Sequence, residues 1–187
     1  MTHHALAETR AWVERAVIGL QLCPFAKAPQ VKGQVRYVAS DAVDADTLLV
    51  DLVEELKLLA AEPPDRIETT LLVHPRAFAA FEDHNDFLEI AEAALVALDL
   101  EGVVQIASFH PDYRFEGSDP DDIANATNRS PYPTLHLLRE DSIERALATF
   151  ADPDSIFLAN IATMKRLGPA GWAALKRQWR NDAEGDE

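Results

Sequence analysis

The chain has 187 residues, 48% hydrophobic and 26% charged, which suits one soluble globular domain with a core of its own. Its 17 basic and 32 acidic residues leave a net charge of −15, which repels phosphate backbones and excludes nucleic-acid binding through any broad basic face. No apolar run approaches the ~20 residues that span a bilayer, the opening residues carry no secretion-signal pattern, and a single cysteine, Cys23, excludes an internal disulfide and points to a reducing cytoplasm.

A first helix is expected over 6–22, where Leu6, Trp12, Val13, Ala16, Val17 and Leu20 recur at helical spacing. Pro24 stops it, because the residue before a proline is pushed out of the helical region. A linker with Pro29 and Gly33 leads to a strand at 34–39, "QVRYVA". The helix expected over 44–61 sets Leu48, Leu49, Leu52, Val53, Leu56 and Leu59 on one side. "IETTLLV" (67–73) is the next strand, rich in β-branched residues, and Pro75 suits the first turn of a helix over 76–98.

"GVVQIASF" (102–109) is a third strand and "TLHLL" (134–138) a shorter fourth. Asp141 and Glu144 have capping-box spacing and open a helix over 142–150. Asp152 and Pro153 read as N-cap and first position of the next helix, which Gly168 ends. A last helix carries Trp172, Leu175 and Trp179, with Lys176, Arg177 and Arg180 as cations on its final turns. The domain is expected to occupy residues 1–180, followed by a solvated acidic tail, "NDAEGDE", at 181–187.

This order is an α/β pattern: one domain with a roughly four-stranded mixed sheet flanked by helices, an extra N-terminal helix and C-terminal helices. Two topologies remain open. With strands one to three parallel, the sheet is open and the fourth strand returns antiparallel at an edge or beside the third. With the third strand antiparallel to the first two, the β-α-β-α-β-β-α order matches a thioredoxin-like core. The segment after the first strand, "SDAVDADTLL", has no cysteine, so the redox site usual there is missing.

The segment between the last two strands carries most of the candidate chemistry. "PDYRFEGSDPDDIANATNRSPYP" is 23 residues long, whereas hairpin loops usually have about two to five. Its acids have a structural reading: Asp119 before Pro120 caps a short helix with Asp121 and Asp122 in its first turn, and no metal site is expected. The rest points to a site. His110 ends the third strand as His74 ends the second, each followed by proline, and in a parallel sheet both lie at the edge where ligands bind. Histidine suits proton transfer near neutrality. In the register where 110 faces 134, His110 and His136 share one face as diagonal neighbours, and a slip of one residue separates them. Arg129 offers a planar fork for an anion, flanked by Asn128 and Ser130. Against this stands a self-bonded loop that covers the end of the sheet.

The stretches "GLQLCPFA", "ETTLLVHP", "EGVVQIASFHPDYRFEG", "ATNRSPYPTLHLLREDS" and "NIATMKRLG" together resemble a bacterial family catalogued as a domain of unknown function, number 1415. They span about residues 19–168. The resemblance implies a single soluble domain of this size and brings no catalytic residue with it.

The residues themselves support two expectations. One is a cytoplasmic hydrolytic or group-transfer enzyme acting on a small anionic metabolite. His110 would then be acid/base, Asp112 or His136 its orienting partner, and Arg129, Asn128, Tyr132 and His74 the ligand-binding set. No Gly-rich dinucleotide fingerprint is present, so no cofactor is expected. The other is a non-catalytic ligand-binding or regulatory module using the same loop. A third possibility, thiol chemistry at Cys23, requires an exposed sulfur, against its reading as a small buried hydrophobe.

Overall fold

The computed structural model describes residues 2–148 and 154–185. Four strands form one open sheet: β1 (Val35–Ala39), β2 (Thr69–Val73), β3 (Val104–Phe109) and β4 (Thr134–Arg139), in the spatial order β1-β2-β4-β3. β1 and β2 are parallel, and β4 runs antiparallel to both β2 and β3. The third strand therefore points the same way as the first two. The condition for a thioredoxin-like core, a third strand of opposite sense, is not met. Because β2 and β3 end at one edge, the residues after them meet there: the His74 N–H donates to the Pro133 carbonyl at 3.0 Å, and the His110 N–H to the Asn128 carbonyl at 3.3 Å.

Alternation along the strands sorts the side chains into two layers. On one face α3 (Ala45–Ala61) and α4 (Phe81–Ala97) bury Leu48, Leu52, Leu56, Leu59, Phe87 and Leu95 against Leu72, Leu135 and Leu137. Each such leucine contributes about 2 kcal/mol by leaving water. The opposite face carries α1 (Thr2–Trp12) and α6 (Asp154–Gly185), whose Trp12, Met164, Trp172 and Trp179 pack with Tyr37 and Leu71. α6 is bent at Gly168, where φ is 67°, a left-handed conformation that glycine adopts without steric cost.

Several local expectations change. The first helix starts at Thr2 and gives way to a π-helical turn, Val13–Ile18. At its exit stands Gly19, where a Cβ would lie 2.3 Å from the Arg15 carbonyl oxygen. The linker contains a short helix, α2 (Lys27–Val31), too brief for its own apolar periodicity. Pro75 does not open a helix: residues 75–80 form turns with Phe78 at φ 57°, and α4 begins only at Phe81. The Asp141–Glu144 box is not used as a cap. α5 (Glu140–Leu147) follows β4 directly, and the Glu140 N–H is taken by the Val103 carbonyl.

The expected loop helix is a 3₁₀ turn, Ile123–Asn128, capped by Asp122 rather than Asp119, whose carboxylate accepts instead from the Asp121 N–H. Asp152 and Pro153 lie outside the described residues. The chain does not fray at 181: the helix continues through Gly185, Ala183 is fully buried, and Asp182 pairs with Arg15 at 2.6 Å.

Candidate functional site

The 110–133 loop is built from its own hydrogen bonds. The Arg129 fork donates to the carbonyls of Tyr113 at 3.1 Å and Pro120 at 2.9 Å. Asn125, fully buried, accepts from the Phe115 N–H and the Ser118 hydroxyl and donates to the Asp119 carbonyl. The Asn128 side chain bonds to Tyr113, whose hydroxyl burial pushes above the usual tyrosine range. Tyr132 donates to Glu8 at 2.9 Å, and its pKa is pushed up to about 12, by burial first and by that carboxylate second. The polar residues expected to grip an anion thus bond within the loop or to α1.

His110 is fully buried and both its ring nitrogens are engaged with backbone. Nδ1 accepts from the Asp112 N–H at 3.0 Å, so the ring proton sits on Nε2 and donates to the Phe78 carbonyl at 3.1 Å. Asp112 meets His110 through its main chain rather than its carboxylate. Burial holds His110 below the usual histidine pKa. The expected pairing with His136 is not made. Phe109 pairs with Thr134 and Ala107 with His136, one residue away from the register that would have put His110 and His136 on one face. His74 does join His110 at the edge, but through α4: His84 stacks on His74 with ring centroids 5.2 Å apart and lies tilted against His110 at 5.3 Å. His74 Nε2 and His84 Nδ1 are buried with no hydrogen-bond partner among the described residues.

His136 faces the other layer, where an open cavity of about 570 Å³ lies beside the contact between the sheet and the N-terminal segments. Its floor is the sheet face carrying Thr69, Leu71, His136 and Phe109. Trp12, Val13 and Val17 form one wall, from the stretch where the α-helix widens into the π turn. Such turns add a residue and re-aim the side chains after them. Cys23 to Ala26 with Ala28 and Pro29 form a second wall, and Ile143 and Ala146 of α5 a third. Charged groups of both signs, Lys32, Asp65, Glu68 and Arg139, also line the cavity. Arg139 spends its guanidinium on the carbonyls of Leu59, Glu62 and Ile67.

Two reactive side chains line this space. His136 Nε2 lies 2.7 Å from the Thr69 hydroxyl, and burial lowers the imidazole pKa to about 4, so the ring is neutral at physiological pH. Cys23 is half-buried, and the N–H groups of Phe25 and Ala26 point at its sulfur. Burial outweighs those donors and raises the thiol pKa. Among the described residues no group of three His, Cys, Asp or Glu side chains is placed to hold a metal ion, and no helix is long and apolar enough to cross a membrane.

The family model for the protein of unknown function DUF1415 matches residues 4–174. The chain belongs to this family. No curated protein and no solved structure matches it. The part of this DUF1415 chain that the model matches encloses all the cavity walls, from Trp12 to Ala146.

Reading the sequence for polar density missed this cavity, because its walls are apolar residues that read as core. One signal was present. In β4, Thr134, His136 and Leu138 alternate with the fully buried Leu135 and Leu137, which places His136 on the face opposite α3 and α4.

Proposed function

We propose that this protein binds a small, mainly apolar molecule in the cavity between the sheet and the α1–α2 segment. The observation that carries the reading is the cavity itself. Pockets of about 300–1,000 Å³ with mostly apolar walls and a few placed polar groups are the usual form of small-molecule sites. The reading moves the site away from the 110–133 loop and drops the anionic ligand, which depended on a free Arg129 fork. A cytoplasmic setting accords with the lone thiol.

A second reading, hydrolytic or group-transfer chemistry in the same space, is favoured by Cys23 and His136 lining one cavity. Activity that survives Cys23→Ser would remove it.

The binding reading is tested with 2-naphthol, followed by thermal shift and by tryptophan fluorescence, since Trp12 lines the cavity. A ligand that binds only the folded state stabilises it by RT ln(1 + L/Kd) at free ligand concentration L, so the melting temperature rises with the logarithm of ligand concentration above Kd. The shift should vanish in Val17→Trp, which fills the space, and in Ala28→Trp, an exposed change at its lining that the fold tolerates. Equal shifts in wild type and both variants would refute the assignment.

A further inference from the structure

The hydrogen bonds beneath His136 determine what kind of group the cavity accepts. Thr69 Oγ1 stands 2.7 Å from the Leu137 carbonyl oxygen and 2.7 Å from His136 Nε2. A hydroxyl has one proton to give, and a carbonyl oxygen can only accept. Thr69 therefore donates to Leu137 and must receive from His136, which places the imidazole proton on Nε2. Nδ1 is left with a bare lone pair. It has no hydrogen-bond partner among the described residues, yet it is not sealed off: the buried side-chain atoms without partners are Thr70 Oγ1, His74 Nε2 and His84 Nδ1. His136 also lines the cavity, so its occupant can reach Nδ1.

Resting on the cavity reading above, we propose that His136 Nδ1 is the recognition acceptor of the site and Thr69 its positioning residue, so that the ligand class is a mainly apolar molecule carrying a neutral hydrogen-bond donor, such as a hydroxyl. A methyl ether of the same shape leaves the imidazole nitrogen unpartnered in an apolar space. A carboxylate meets a lone pair with a lone pair. It also enters a chain of net charge −15 and passes Asp65 and Glu68 at the cavity lining. The Thr69 hydroxyl is what prevents the alternative: with the proton on Nδ1, the same ring would prefer acceptors and anions.

The test compares 2-naphthol, 2-methoxynaphthalene and 2-naphthoate, which share one apolar body and differ in a donor, an acceptor and an anion. 2-Naphthol should bind about tenfold or more tightly than either of the others. That preference should disappear in His136→Phe, which keeps the apolar bulk. It should shrink in Thr69→Val and return in Thr69→Ser, which restores the hydroxyl and separates positioning from packing.

Long-range ¹⁵N–¹H correlation spectra of the histidine rings supply a readout independent of any ligand. They should show His136 protonated on Nε2 in the wild type. A ring protonated on Nδ1 would overturn the proposal, as would equal affinity for the methyl ether or a preference for the naphthoate, and in each case the cavity would still stand as a binding site. Failure of all three probes to bind would refute the cavity reading and take this proposal with it.

Discussion

The rings of His74 and His84 stack with centroids 5.2 Å apart and planes 25° from parallel, joining the end of β2 to the start of α4. His84 Nε2 reaches the Ser108 hydroxyl at 2.9 Å, His74 Nδ1 donates to the Ala77 carbonyl, and His110 lies tilted against His84. Three imidazoles this close cannot all carry charge, and their burial holds them neutral. The pKa falls to about 4 for His74 and about 3 for His84, by burial first and by the neighbouring rings after it. These histidines therefore act as packing groups at neutral pH and as an acid-labile seam below it.

The direction of the resulting pH dependence follows from proton uptake. In the unfolded chain each ring titrates near the ordinary histidine value of about 6.5, so between there and its lowered folded value the unfolded state holds more protons. Stability is thus unaffected above about pH 6.5 and falls progressively as the pH drops toward 4. The loss approaches about 3 kcal/mol for His74, lowered from 6.5 to about 4, and is somewhat larger for His84, lowered to about 3. Melting temperatures taken from pH 7 to 5, above the carboxylate range, should decline, and more gently in His84→Gln. A flat profile over that interval would contradict the buried, neutral assignment.

Arg129→Ala should weaken the loop without touching the cavity. The substitution removes two charge-assisted hydrogen bonds to the Tyr113 and Pro120 carbonyls, worth about 2 kcal/mol together after exchange with water. Lysine should not restore the loss, because a single ammonium cannot reach both carbonyls as the planar fork does. Urea unfolding measures the stability, and 2-naphthol affinity should remain within a factor of about two. A large loss of affinity would return the site to the loop.

The fold was more legible in the sequence than the site. All four strands were expected within two residues of their ends, because alternation and β-branching persist whatever the partner strand. β4 is antiparallel to two neighbours, and that arrangement had to come from three-dimensional packing, as did the one-residue register that parts His110 from His136. Arg129 illustrates the limit for site reading. A guanidinium next to an amide and a hydroxyl looks the same in sequence whether it awaits an anion or ties two carbonyls. Its role depends on whether the chain folds back within about 3 Å, which spacing alone does not encode.

Glu8 is a carboxylate that no motif marked, and it joins three parts of the molecule. It is 6% exposed and accepts from the Tyr132 hydroxyl at 2.9 Å, Trp179 Nε1 at 3.2 Å and Arg180 Nε at 3.3 Å. Removing it strands a buried indole N–H and leaves the Tyr132 hydroxyl without its acceptor. Glu8→Ala should therefore cost about 3 kcal/mol in urea unfolding. Glu8→Gln, which keeps one acceptor oxygen, should cost less. Trp179 fluorescence gives a local readout of loosening between α1 and α6. A loss below about 0.5 kcal/mol for Glu8→Ala would show that water replaces the carboxylate at this joint.

Cys23 provides a chemical probe of the cavity wall. Its sulfur faces the N–H groups of Phe25 and Ala26, which favour the thiolate, but burial outweighs them and raises the pKa. Since the thiolate is the reacting species, iodoacetamide should modify Cys23 at pH 7 about tenfold or more slowly than it modifies the unfolded chain. The rate should climb with pH beyond the ordinary thiol range instead of levelling off there. Saturating 2-naphthol should slow it further by filling the space in front of the sulfur, while His136→Phe should raise the 2-naphthol concentration needed for that protection by about tenfold, with the loss of the ligand's hydrogen bond. Modification faster than a free cysteine at pH 7 would mean that the backbone donors prevail over burial, and would favour the catalytic reading of this cavity over simple binding.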